Sequence, residues 1–147
     1  NRDLLLVVKA DAYGHGAVEG RDLPPPRQRV DELAARAVKD LLADTGEKGP
    51  LQHIVDRRDA AALGLFVAFF DGLGKEFFPE LFVAFQLFTG SGDWQLIAEA
   101  AAAGNRAARQ NAETILTVHR EGQRRQGPQW AAKEIERRLL GGTGKPR

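Results

Sequence analysis

The sequence predicts a mainly α protein: an irregular bundle of four to six helices with a short extended segment at its N-terminus. Three observations carry this. Apolar residues recur at helical spacing from Val30 onward, three consecutive prolines separate that region from a strand-like start, and all eight phenylalanines lie between Phe66 and Phe88. With 147 residues, 43% of them apolar and 28% charged, the chain has the composition of one globular domain of ordinary size.

Leu4 to Ala10, LLLVVKA, is a continuous apolar run of the kind found in a strand buried on both faces, and the glycines of YGHG end it. Arg21 to Arg29, RDLPPPRQR, forbids helix and reads as a semi-rigid extended connector. The expected organisation is therefore an N-terminal segment 1–20, a Pro-rich linker 21–29, a helical domain 30–140 and a Gly-rich basic tail 141–147. In the helical domain Val30, Leu33, Ala34, Ala37, Val38, Leu41 and Leu42 form one apolar helix face, which Gly46, Gly49 and Pro50 stop. A second helical stretch begins near Leu51 and continues through IVDRRDAAALGLFVAFF to Gly72 and Gly74.

The pentapeptide LFVAF occurs twice, at Leu65–Phe69 and Leu81–Phe85, on either side of FDGLGKEFFPE. This predicts a helical hairpin with arms apolar nearly all round. Pro79 suits the first turn of the second arm, the phenylalanines supply the core, and Asp71, Lys75, Glu76 and Glu80 at the tip face water. Asp93 is placed to cap a long helix with Trp94, Ala98, Ala101, Ala108, Ala112, Ile115 and His119 on one seam, where Gly104 and Asn105 mark a break or bend. GPQWAAKEIERRLLGG gives a last short helix, with Pro128 near its start, Trp130 or Ala131, Ile135 and Leu139 inward, and Gly141 at its end.

The chain has no Cys, which excludes disulfides, thiolate metal sites and a cysteine nucleophile. It has no Met and starts at Asn1, as expected of an interior fragment or a processed product. No signal pattern opens it and no apolar run approaches the roughly 18 residues of a membrane span, so the default location is the cytoplasm. The net charge of +1 conceals an asymmetry, because residues 104–147 carry ten Lys and Arg against four Asp and Glu. Arg124, Arg125, Lys133, Arg137 and Arg138 beside Trp130 could hold phosphates and stack on bases, or meet an acidic protein.

Chemistry is concentrated near the N-terminus. A lysine between Val8 and Ala10 in a buried strand loses ammonium solvation, so its amine becomes free to attack a carbonyl and form a Schiff base. Lys9, Tyr13, Gly14 and Gly16 could together hold an aldehyde cofactor bearing a phosphate. Val7 to Gly16, VVKADAYGHG, resembles the pyridoxal-phosphate attachment segment of the alanine racemases. The resemblance implies that Lys9 carries pyridoxal 5'-phosphate and acts as a catalytic base, and that Tyr13 contacts the cofactor phosphate. It implies that Asp11, Gly14, His15 and Gly16 shape the turn, and that the protein is an isomerase acting on a small amino acid as a homo-oligomer. A complete (β/α)8 barrel needs roughly 200 residues or more, so this length excludes one. Tyr13 is the only tyrosine, so it cannot both contact the phosphate and supply the second base.

Elsewhere His53 lies near Asp56 and Asp59 at helical spacing, and a helix-surface polar cluster is the expected reading. His119 on its seam reads as a core or interface histidine. The tail GGTGKPR does not complete a phosphate loop, since Leu139 stands where the first glycine belongs and Pro146 follows Lys145. Two functions from different classes follow: a racemase-like fragment or fusion anchored on Lys9, and a non-enzymatic helical interaction module with a basic C-terminal face.

Overall fold

The computed structural model describes residues 29–141. Seven α-helices make up nearly all of this span: α1 (Val30–Asp44), α2 (Pro50–Arg57), α3 (Ala60–Ala68), α4 (Gly72–Phe77), α5 (Pro79–Ser91), α6 (Trp94–Glu121) and α7 (Pro128–Leu140). A π-helical turn, Gly122–Gln126, joins α6 to α7. No strand occurs among the described residues, and the mainly α class expected from periodicity holds. The extended segment 1–20, most of the linker and residues 142–147 of the tail lie outside the described residues.

One helix more than the expected four to six is present, and local stops account for it. The stretch from Leu51 is divided because Arg58 adopts a left-handed conformation, φ 52°, and its N–H bonds back to the Val55 carbonyl while the N–H of Asp59 bonds to that of Ile54. This is the bond pattern of a Schellman ending. Asp59 then caps α3, accepting from the Ala62 N–H at 3.0 Å. The loop expected between the Phe-rich arms holds the short helix α4. Pro79 and Pro128 occupy first turns as expected, and Asp93 caps α6 by accepting from the Gln95 N–H at 3.0 Å.

The described residues form two units, 40–109 and 29–39 together with 110–141. In unit 40–109, α3 packs against α2 and α5. Its core contains Leu41, Leu51, Ile54, Leu63, Phe78, Leu81, Ala84, Phe88, Ile97, Ala101 and Ala108. Phe78, between α4 and α5, is fully buried and is the largest such side chain. Its ring lies edge-on to Phe70 at 5.9 Å and fills the space beside Gly104, where a Cβ would stand 2.7 and 2.8 Å from ring carbons. Gly104 does not break α6, which runs unbroken through it; its missing side chain is the seat of an aromatic ring. Asn105 is accommodated by polar bonds: its Nδ2 donates to Thr45 Oγ1 at 3.0 Å and its Oδ1 accepts from Arg109 at 2.9 Å. Thr45 in turn donates to the Leu41 carbonyl.

The end of α1 carries a small electrostatic fault. Burial, and then the neighbouring Asp40 carboxylate, hold the Asp44 carboxyl above its ordinary range. The last turn of α1 has no basic residue to complement the negative end of the helix dipole. An acid whose folded pKa is raised favours the folded state while protonated, and that contribution is lost as pH rises through the folded value. Asp44→Asn is therefore expected to raise the thermal midpoint at pH 7, with the difference closing near pH 3. A variant no more stable than the parent at pH 7 would contradict this.

In unit 29–39/110–141 the buried side chains include Ala34, Ala35, Val38, Ala112, Ile115, Val118, Ala131 and Ile135. The π-helical turn packs on α7. It ends at Gly127, whose φ of 92° is open to glycine and strained for other residues. Of the alternatives Trp130 or Ala131, Ala131 is the buried one, Ile135 is buried as expected, and Trp130 and Leu139 are half-buried.

Candidate functional site

The helix α3 has no polar residue, and α5 is apolar apart from Glu80, Gln86, Thr89 and Ser91, all exposed. Leu63, Phe66 and Val67 on α3, Phe70 just beyond it, and Leu81, Ala84, Phe85 and Phe88 on α5, are buried or packed against the core. Large apolar side chains also remain in water. Leu65 on α3 and Phe69 at its C-cap are 60% and 80% exposed, and Val83 and Leu87 on α5 are 58% and 56% exposed. Each pair is spaced i, i+4, so each helix carries an apolar ridge of its own. Leaving a side chain of this size in water forgoes roughly 1.5–3 kcal/mol relative to burial, and exposed apolar surface of this kind marks contact sites. The phenylalanines are thus core only in part.

Charges border the two helices. From Arg57 to Asp93 the chain has five carboxylates, Asp59, Asp71, Glu76, Glu80 and Asp93, against three cations, Arg57, Arg58 and Lys75, and all eight residues are exposed. The Lys75 Nζ sits over the Phe82 ring at 5.3 Å, a cation–π contact that draws its charge toward the helix pair.

A second feature lies in unit 29–39/110–141: a cleft of about 370 Å³ with Arg29, Asp31, His119 and Gln123 on its walls and Ala131 and Ile135 beneath. Its polar groups bond to one another. Arg29 lies 3.2 Å from the buried Asp31 carboxylate and 3.3 Å from Glu32, and Gln123 Nε2 is 3.3 Å from His119 Nε2. His119 is half-buried and lines this cleft instead of closing a core.

His53 is exposed, and the carboxylates near it have other tasks: Asp56 accepts from Gln52 at 2.8 Å and Asp59 caps α3. No group of three or more His, Asp or Glu suited to a metal exists among the described residues. Of the basic set, Arg137 and Arg138 both pair with Glu134 on their own helix, and Arg138 also reaches Glu121 at 3.9 Å. The hydrogen bond from Arg137 holds the Glu134 carboxyl at about 2. Arg124 and Lys133 are exposed; the side chain of Arg125, like Lys9 and Tyr13, lies outside the described residues. No described helix is long and apolar enough to cross a membrane.

The described residues are all-α, with exposed large apolar side chains on and beside α3 and α5. Residues 26–138 match the family described as "Family of unknown function (DUF6866) C-terminal domain", and the chain belongs to that family. Comparison with curated proteins and with solved structures gives no match. The family assignment corrects the resemblance to alanine racemases: the match spans the helical region and starts beyond Val7–Gly16, and it brings neither a racemase nor a pyridoxal-phosphate family. The isomerase reading falls with it. The physical reason is that a lysine followed by a glycine-rich turn is a short local pattern. The alternation of strand and helix that a barrel requires is absent from the described residues.

Proposed function

We propose that the chain is a helical interaction module that binds a protein partner through the exposed apolar ridges of α3 and α5. The observation that carries this is the exposure of Phe69, 80% in water at the C-cap of a helix whose Leu63, Phe66 and Val67 are already packed. A binding role explains why two helices of one small unit are apolar on more sides than the core can use.

The test is a set of polar replacements, Leu65→Ser, Phe69→Ser, Val83→Ser and Leu87→Ser, made together in the full chain. The probes are two synthetic amphipathic helical peptides with the same leucine stripe, one with lysines and one with glutamates on the polar side. The parent is expected to bind at least one of them in fluorescence anisotropy, and the quadruple variant is expected to lose that binding about tenfold or more. Exposed substitutions of this kind change stability by about 0.5 kcal/mol or less each, so the circular dichroism of the variant should match the parent. Loss of the helical fold in the variant, or binding that does not depend on these four residues, would overturn the proposal.

A further inference from the structure

We propose that the cleft in unit 29–39/110–141 binds a small uncharged aromatic amide, held between His119 and Gln123. Its volume of about 370 Å³ falls in the range of small-molecule pockets, and it joins an apolar floor to a few convergent polar groups. The backbone beside it is unusual. Gly122 and Gln123, both on its wall, open the π-helical turn, in which the Gly127 N–H donates to the Gly122 carbonyl at 2.7 Å. Such turns are rare and concentrate at functional sites. None of the lining residues belongs to α3 or α5, so this site stands or falls separately from partner binding there.

The charged groups on the walls disfavour an ion. Arg29 donates to the Asp31 carboxylate at 3.2 Å and lies 3.3 Å from Glu32. An anion would have to draw Arg29 away from a buried carboxylate, and a cation would have to draw that carboxylate away from Arg29. The second pair on the walls is neutral. Gln123 Nε2 is 3.3 Å from His119 Nε2, and because an amide nitrogen only donates, the imidazole accepts there. An amide ligand matches both ends of this bond: its N–H donates to His119 Nε2 and its carbonyl accepts from Gln123 Nε2. Gln123 is exposed and can move to admit it, so that one neutral hydrogen bond is replaced by two. A flat ring then rests on Pro128, Ala131, Ala132 and Ile135.

Benzamide, benzoate and benzamidinium share one shape and differ in charge, so titrating the full chain with each tests this. The readout is the NMR shift of the His119 ring. Benzamide is expected to bind about tenfold more tightly than either ion, because only it satisfies both partners without breaking the ion pair. Ala132→Leu fills the cleft, and Gln123→Leu removes the donor at an exposed position; each should weaken benzamide binding about tenfold or more. Circular dichroism checks that both variants stay folded, and Gln123→Leu decides the matter if Ala132→Leu does not. Tighter binding of benzoate would assign the cleft to anions through Arg29, and tighter binding of benzamidinium would assign it to cations through Asp31. Either result would overturn the proposal, as would benzamide binding that is absent or that Gln123→Leu leaves intact.

Discussion

Phe78→Ala is expected to cost unit 40–109 about 3–5 kcal/mol, a large share of the roughly 5–15 kcal/mol that holds a domain folded. Phe78 is fully buried, touches Phe70 edge to face, and stands at the junction where α4 ends and α5 begins. Neighbours on several elements would have to move together to fill the cavity, so little of the cost can be recovered by relaxation. The chain provides its own reporter. Of its two tryptophans, Trp94 lies in this unit, with its ring 4.6 Å from that of Phe88, and Trp130 lies in the other. In a Trp130→Phe background, urea unfolding followed by fluorescence would read the unit containing Phe78. A midpoint unchanged by Phe78→Ala would show that the ring does not carry the core.

Gly104→Ala is expected to be destabilising, against the usual direction of this substitution in a helix. Alanine gains about 1 kcal/mol over glycine from helix propensity. Here the added Cβ meets the Phe78 ring with carbons at 2.7 and 2.8 Å, well inside contact distance, and that ring is walled in. Overpacking of this kind costs about 1–3 kcal/mol, occasionally more, so the net sign is negative. Gly64→Ala on α3 is the opposite case. Nothing stands within 4 Å of the position its Cβ would take, and the substitution is expected to stabilise by about 0.5–1 kcal/mol. Urea melts of the two variants should move in opposite directions. Combining Gly104→Ala with Phe78→Leu should cost less than the two single changes together, because the sites touch. Simple additivity would mean that the ring and the glycine are not coupled.

Helix existence was legible in the sequence wherever one face differed from the other. The period from Val30, the cap at Asp93 and the prolines at the starts of α5 and α7 all report local physics that tertiary packing did not override. The faces of α3 and α5 were not legible. Leu65 and Leu81 open identical pentapeptides, yet the first is 60% exposed and the second fully buried. A helix apolar on every side carries no signal for its own rotation, so only the surrounding chain decides which side is covered.

Other misses have specific causes. Glycine in a helix signals either a weak point or a close approach, and Gly104 was the second kind. The stop at Arg58 needed a non-glycine residue in a left-handed conformation, which sequence rarely announces. The pairing of Arg137 and Arg138 with Glu134 was available from their spacing of three and four, and it qualifies the basic face read from charge alone. Lys9 shows the reverse error, in which ten residues of pattern outweighed the helical periodicity of the remainder.

The seat of Phe78 on Gly104 bears on which fold is chosen as well as on how stable it is. With two slippery cylinders such as α3 and α5, hydrophobic burial by itself leaves several rolled arrangements close in free energy. A ring that fits only where a side chain is missing singles out one of them. Blocking that notch should therefore leave helix content and collapse in place while dissolving the uniqueness of the packing. The signature would be retained far-ultraviolet dichroism, faded near-ultraviolet signals and new binding of a hydrophobic dye.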